Sequence, residues 1–98
     1  MLESTYQARL IRRIRKDLIG CVVIKNDPNY IQGFPDLLIL FLDRWAVLEV
    51  KVSENAPYQP NQEFYLDLLS RMSFARVIYP RCEEEVLHEL YESLTAGR

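Results

Sequence analysis

The stretch "GFPDLLILFLDRWAVLEVKV" (residues 33–52) decides the fold. It holds two apolar, β-prone runs, 36–42 and 45–52, that meet at Asp43-Arg44 and read as a hairpin. Three charges interrupt those runs: Asp36, Glu49 and Lys51. Side chains alternate faces along a strand, so Glu49 and Lys51 point the same way, with Val47 beside them. A two-residue turn at Asp43-Arg44 sets Leu42 opposite Trp45, Leu40 opposite Val47, Leu38 opposite Glu49 and Asp36 opposite Lys51. All three charges then share one face, and Asp36 lies diagonal to Glu49 at roughly 7–8 Å between α-carbons. An odd-length turn or a bulge would break this register.

Two readings of the charges compete. In one, Lys51 pairs with Asp36 and Glu49 sits near solvent on an uncovered sheet. In the other, a divalent cation bridges the two carboxylates. Two anions in an apolar setting repel, and one would take up a proton unless a cation held them. The metal site is therefore the favoured expectation.

Outward from the hairpin, the remaining elements follow from periodicity. Residues 3–18 read as a helix, with Leu10, Ile11, Ile14 and Leu18 on one side and Gly20 as its stop. "CVVIK" (21–25) is a short β-branched strand, and "NDPNYIQGFP" (26–35) is a loop rich in turn residues. "SENAPYQP" (53–60) is a second loop. Pro60 suits the first turn of a helix running to Met72, with Tyr65, Leu66, Leu69 and Met72 inward. "FARVIYP" (74–80) is a fourth strand. The helix 83–95 opens on three glutamates, which suit the positive end of its dipole, and carries a stripe of Val86, Leu87, Leu90, Tyr91 and Leu94. The order α-β-β-β-α-β-α describes an α/β or α+β domain around one mixed sheet.

Ninety-eight residues are enough for a single domain with one modest core. Apolar residues at 49% and charged residues at 27% exclude a disordered chain. No apolar run approaches the ~18 residues of a spanning helix, and the arginines of "RLIRRIRK" (9–16) leave no signal-peptide layout, so no membrane partner is expected. Cys21 and Cys82 read as two reduced thiols of a cytoplasmic protein, and no His/Cys cluster has zinc-ligand spacing. The formal charge of −2 hides an uneven distribution. Five of twelve basic residues fall in 9–16 and five of fourteen acidic ones in 83–92, so net charge alone excludes no phosphate-bearing partner.

Mg²⁺ takes hard oxygen ligands and often binds through one or two carboxylates plus a substrate phosphate. A neighbouring lysine can orient a water and stabilise charge in the transition state. These parts suit phosphodiester hydrolysis.

"PD" at 35–36, followed after thirteen residues by "EVK" at 49–51, resembles the PD-(D/E)XK nuclease signature. The chain is most similar to the small virus-type replication-repair nuclease modules (VRR-NUC) and to Holliday-junction resolvases. Gly33-Phe34-Pro35-Asp36, Glu49-Val50-Lys51 and Gln62 stand where those modules read G-x-PD, E-x-K and a helical glutamine. The resemblance covers Glu3 to about Tyr79 and implies a restriction-endonuclease-like core. It implies Asp36 and Glu49 as metal ligands, with the Val50 carbonyl as a further ligand, and Lys51 as the residue that positions water. It also implies an acid on the first helix, for which Glu3 is the candidate. Periodicity gives an independent check, because at 100° per residue Glu3 and Gln7 fall on the side of Leu10 and Ile14. Gln62 lies within the inward stripe of its own helix, where a buried amide needs partners.

Arg9, Arg12, Arg13 and Lys16 cluster on the opposite side of the first helix and are candidates for a phosphate backbone; a solvated helix face is the plainer reading. Lys25 and Tyr30, in the approach to Asp36, are candidates for substrate contact, as are Tyr58 and Gln59 on the other side. His88 reads as surface. The expected function is a Mg²⁺-dependent DNA endonuclease, with Mn²⁺ able to substitute, acting by shape on branched DNA such as four-way junctions. Cutting both strands of a junction needs two sites, hence a homodimer, through the last helix or the surroundings of Trp45. The alternatives are a nicking or restriction-like nuclease on duplex or single strands, or an inactive nucleic-acid-binding module of the same fold. The small size and the resemblance suggest a phage or mobile element in a bacterial cell.

Overall fold

The hairpin forms, with its turn one residue earlier than the sequence suggests, which shifts the pairing register by two. A computed structural model describes residues 1–97. β2 (Leu37–Phe41) and β3 (Arg44–Val50) pair antiparallel with Phe41 opposite Arg44, Leu40 opposite Trp45, Leu38 opposite Val47 and Leu37 opposite Leu48. The two turn residues are Leu42 and Asp43, with Leu42 left-handed at φ 55°. Two-residue hairpin turns need positive φ at their first position, which here falls on an exposed leucine. Arg44 is drawn into the strand, where its guanidinium donates to the Ser93 carbonyl at 3.1 Å. A slip of two leaves every side chain on its expected face, whereas a slip of one would have inverted the sheet.

β1 (Val22–Lys25) adds antiparallel to β2, and β4 (Phe74–Ile78) adds parallel to β3, giving the order β1-β2-β3-β4. The parallel pair needs a crossover, supplied by α2 (Gln62–Ser70). α1 (Glu3–Asp17) and α3 (Glu83–Thr95, entered through a short 3₁₀ turn, Pro80–Cys82) complete an α+β domain with one mixed sheet and three helices. Among the described residues no helix is long and apolar enough to cross a membrane.

The two faces of the sheet differ. Val23, Leu37, Ile39, Ala46, Leu48, Val50 and Ile78 pack against Tyr6, Leu10 and Ile14 of α1 and Val86, Leu87, Leu90 and Leu94 of α3 in one buried cluster. The opposite face carries Leu38, Leu40, Trp45, Val47 and Glu49, and α2 covers its β3–β4 half. Val22, Ile24 and Leu40 stay exposed on the uncovered half. The apolar stripe of α3 is spent on the core and Trp45 is half-buried.

Two helix boundaries depart from expectation. α2 begins at Gln62 because Asn61 is left-handed at φ 69°, so Pro60 precedes the helix. It ends at Ser70, where the amides of Met72 and Ser73 both donate to the Leu69 carbonyl; Met72 is exposed and not inward. The fourth strand stops at Ile78, before Tyr79 and Pro80.

Candidate metal and phosphodiester site

Asp36 enters the site from the start of β2. Carrying the β2–β3 register one step past Leu37–Leu48 sets it opposite Glu49, not opposite Lys51. Its Oδ2 accepts from the Val50 amide at 2.8 Å, which pins the carboxylate to the end of β3. Asn26 fastens the other side: its amide donates to the Asp36 carbonyl at 2.8 Å and its side chain to the Pro35 carbonyl at 2.7 Å.

Gly33 explains why the preceding loop can close over the site. It is left-handed at φ +88°, and a Cβ there would lie 2.6 Å from the Asn61 backbone and the Pro60 carbonyl. Only a residue without a side chain lets the two loops touch. Phe34 then packs edge-on to Tyr65 of α2 at 5.6 Å between centroids.

Glu49 and Lys51 are 1% and 6% exposed, so neither charge is left to solvent. Lys51 Nζ lies 3.8 Å from Glu49 Oε2, and Gln62 links the two. Its Nε2 donates to Glu49 Oε2 at 2.9 Å, and its Oε1 accepts from Lys51 Nζ at 2.7 Å and from the Gln59 amide at 2.7 Å. Lys51 also donates to the Pro57 carbonyl at 3.1 Å and lies 5.6 Å from the centroid of the Tyr58 ring. The ammonium therefore ties the 53–60 loop to the acidic site.

Glu3 arrives from the first turn of α1, and carboxylate oxygens of Glu3, Asp36 and Glu49 lie within 4.8 Å of one another. Burial, together with the Asp36 carboxylate, pushes Glu49 up to about 9; Glu3 is raised for the same two reasons. Without a cation, burial and Asp36 thus favour the protonated form of Glu49. The second oxygen, Glu49 Oε1, is buried with no hydrogen-bond partner among the described residues.

These residues fit a small hard cation. Three carboxylate oxygens within 4.8 Å of one another supply the hard oxygen donors that Mg²⁺ takes. Once ionised, Glu49 would present a buried oxygen that no donor among the described residues satisfies, which a cation would satisfy instead.

The residues expected to meet nucleic acid differ in how free their charges are. Lys25 and Tyr30 are exposed beside the loop that leads into Asp36. Arg12 and Lys16 are exposed further along α1, and Lys16 lies on the order of 20 Å along the axis from Glu3. Arg13 binds Glu83, Glu84 and Asp17, which withdraws it from the cations open to a phosphate; Arg9 lies 3.9 Å from Glu83. His88 is exposed and pairs with Glu92.

Gln7 is a residue the pattern placed beside Glu3 but gave no role. It is 6% exposed, with a buried Oε1 that has no partner among the described residues. The contacts of Gly33 and of the Pro57 carbonyl leave no local signal beyond the presence of glycine and proline.

No family model, no curated protein and no solved structure matches this chain.

Proposed function

We propose that this chain is a Mg²⁺-dependent DNA endonuclease with a restriction-endonuclease-like core, acting on branched DNA such as four-way junctions. The observation that carries the reading is the meeting of Glu3, Asp36 and Glu49 within 4.8 Å, with a buried, unpartnered Glu49 oxygen among them and Lys51 alongside. A salt bridge alone accounts poorly for this set, because one ammonium stands among three carboxylates and burial works against the ionised forms of Glu49 and Glu3.

Glu3, Asp36 and Glu49 would hold the cation, and the Val50 carbonyl would add a ligand by the resemblance noted above. When bound, Mg²⁺ would supply Lewis-acid polarisation of the phosphodiester and offset the charge that develops on it. Gln62 fixes Lys51 and Glu49 at a set spacing, so Lys51 directs a positive charge at the phosphate without reorganising. Asp36 and the Val50 amide hold the two ends of the hairpin in register while this happens.

Among the described residues nothing resembles a helix or ribbon set apart for reading base edges, which favours recognition of DNA shape. A homodimer would supply the second site needed to cut both strands of a junction.

A labelled panel tests the reading: four-way junction, flap, duplex and single strand, each with Mg²⁺, Mn²⁺ or EDTA. Metal-dependent cutting of the junction, lost in Lys51→Ala and Asp36→Ala, is the expected result. Cutting confined to duplex would discard the branched substrate. DNA binding without cutting in any metal would replace the enzyme with a binding module.

A further inference from the structure

We propose that the cavity beside Asp36 receives one unpaired nucleobase of the substrate strand, so that the site selects phosphodiesters next to a nucleotide not held in a duplex. This rests on the nuclease reading and refines its substrate.

The cavity has a volume of about 450 Å³ and lies under the 26–35 loop, with Ile24, Tyr30, Ile31 and Phe34 as its apolar walls. That size and lining are those of a small-molecule site, mostly apolar with a few polar groups. The polar groups are Lys25, Asn26 and Asp27. The cavity's lining residues Phe34 and Asn26 adjoin the proposed catalytic site along the chain. Phe34 is two residues before Asp36, so their α-carbons are at most about 7 Å apart. Asn26, a lining residue, holds both Pro35 and Asp36.

The Phe34 wall is held in place. Phe34 is braced by Tyr65, which is braced in turn by Phe64 at 5.2 Å. Gly33 rests against Pro60 and Asn61. The loop also bonds to itself: the Asn29 amide donates to Asp27 Oδ1 at 2.9 Å and the Tyr30 amide to the Asp27 carbonyl at 3.1 Å. On this frame Tyr30 is 85% exposed, with Ile24 at 40% and Ile31 at 36% beside it.

An occupant of this cavity suits it best if it is flat and apolar on its faces, offers polar edges to the groups of Asn26 and Asp27 that the loop leaves over, and carries no negative charge where it meets Asp27. A nucleobase meets all three conditions. Its phosphate, outside the cavity, would meet Lys25 at the rim. Stacking on an exposed tyrosine tolerates any base. A base paired within a duplex has both faces covered and cannot enter, whereas an unpaired one at a branch, flap or single strand can.

The test uses the full chain and a single-stranded oligonucleotide carrying 2-aminopurine at successive positions, in EDTA to prevent turnover. Quenching at one position, with none on a matched duplex, is the expected result. Tyr30→Ala should abolish that quenching and weaken binding about tenfold or more, and Tyr30→Trp should restore both. Calorimetric Mn²⁺ binding by Tyr30→Ala shows that the fold and the acidic site survive the change. Unaltered quenching and affinity in Tyr30→Ala, or equal binding of duplex and single strand, would overturn the inference. So would a dimer that Ile31→Ser dissociates while DNA binding is unchanged, since a second copy would then fill the cavity. Mg²⁺-dependent cutting that Tyr30→Ala leaves intact would reject the cavity and keep the nuclease. Quenching by a wild-type chain that cuts nothing would keep the cavity and reject the nuclease.

Discussion

Gln62 donates to Glu49 through one atom of its amide and accepts from Lys51 through the other, at 2.9 Å and 2.7 Å. The two charged residues lie two apart on one strand face, and this amide from α2 sets their spacing. Replacing Gln62 with alanine leaves a buried carboxylate and a buried ammonium short of a partner each. Gln62→Ala should lower stability by about 1–3 kcal/mol. If the protein cuts DNA, its rate should fall by about 10–100-fold, as for other groups that orient metal ligands. Urea denaturation and single-turnover cleavage measure the two effects.

Glu49 gives the metal-free protein a characteristic pH dependence. Burial and Asp36 raise it to about 9, above the 4.5 of an ordinary glutamate. The folded state therefore holds a proton that the unfolded chain gives up. Stability is fully present below about pH 4.5 and falls as pH rises towards 9. Glu49→Gln cannot lose that proton, so its stability should exceed that of the wild type by a margin that widens from pH 5 to pH 9. Parallel denaturation curves in EDTA, giving the same margin at every pH, would rule this out.

Gly33 and Gly20 are both left-handed, at φ +88° and +95°, but only Gly33 has backbone within reach of a Cβ. Gly20→Ala should cost about 1–2 kcal/mol for the dihedral alone. Gly33→Ala adds a clash with Pro60 and Asn61 and should cost more, with the loss of metal affinity that follows from displacing Asp36. Thermal melts of the two variants, with and without Mn²⁺, separate strain from site disruption.

The order of the elements was legible because periods of 3.6 and 2 separate cleanly along this chain. The hairpin turn was not. Leu42-Asp43 and Asp43-Arg44 give registers two apart that leave the same residues on each face, so periodicity alone does not choose between them; in the observed one Arg44 reaches the Ser93 carbonyl, 49 positions away. Met72 continued an apolar pattern past the point where the Leu69 carbonyl ends the helix. Within the site, Asp36, Glu49 and Lys51 stood out as charges against apolar runs, and Glu3 and Gln62 fell on inward stripes. The pairing within that group was misread, because Asp36 opposite Lys51 follows from the wrong turn. Pro57 holding Lys51, and Gly33 touching Asn61, are contacts between loops that no local pattern encodes.

Arg13 links α1 to the glutamates that open α3. Its guanidinium is partly covered, as is Glu83, so these bonds should outweigh an exposed pair. Arg13→Ala should lower stability by about 1–2 kcal/mol while Arg12→Ala, on an exposed position, changes it by less than about 0.5 kcal/mol. Chemical denaturation of both variants at low and high salt gives the comparison.

The most direct measurement is calorimetric titration of Mn²⁺ into the metal-free protein and into Glu3→Gln, Asp36→Asn and Glu49→Gln, each of which keeps the side-chain shape and removes a charge. Binding by the wild type that weakens at least tenfold in the Asp36 and Glu49 variants, and to a lesser degree in the Glu3 variant, is the predicted result. No binding by the wild type, or binding that all three variants share, would contradict a metal centre at these carboxylates.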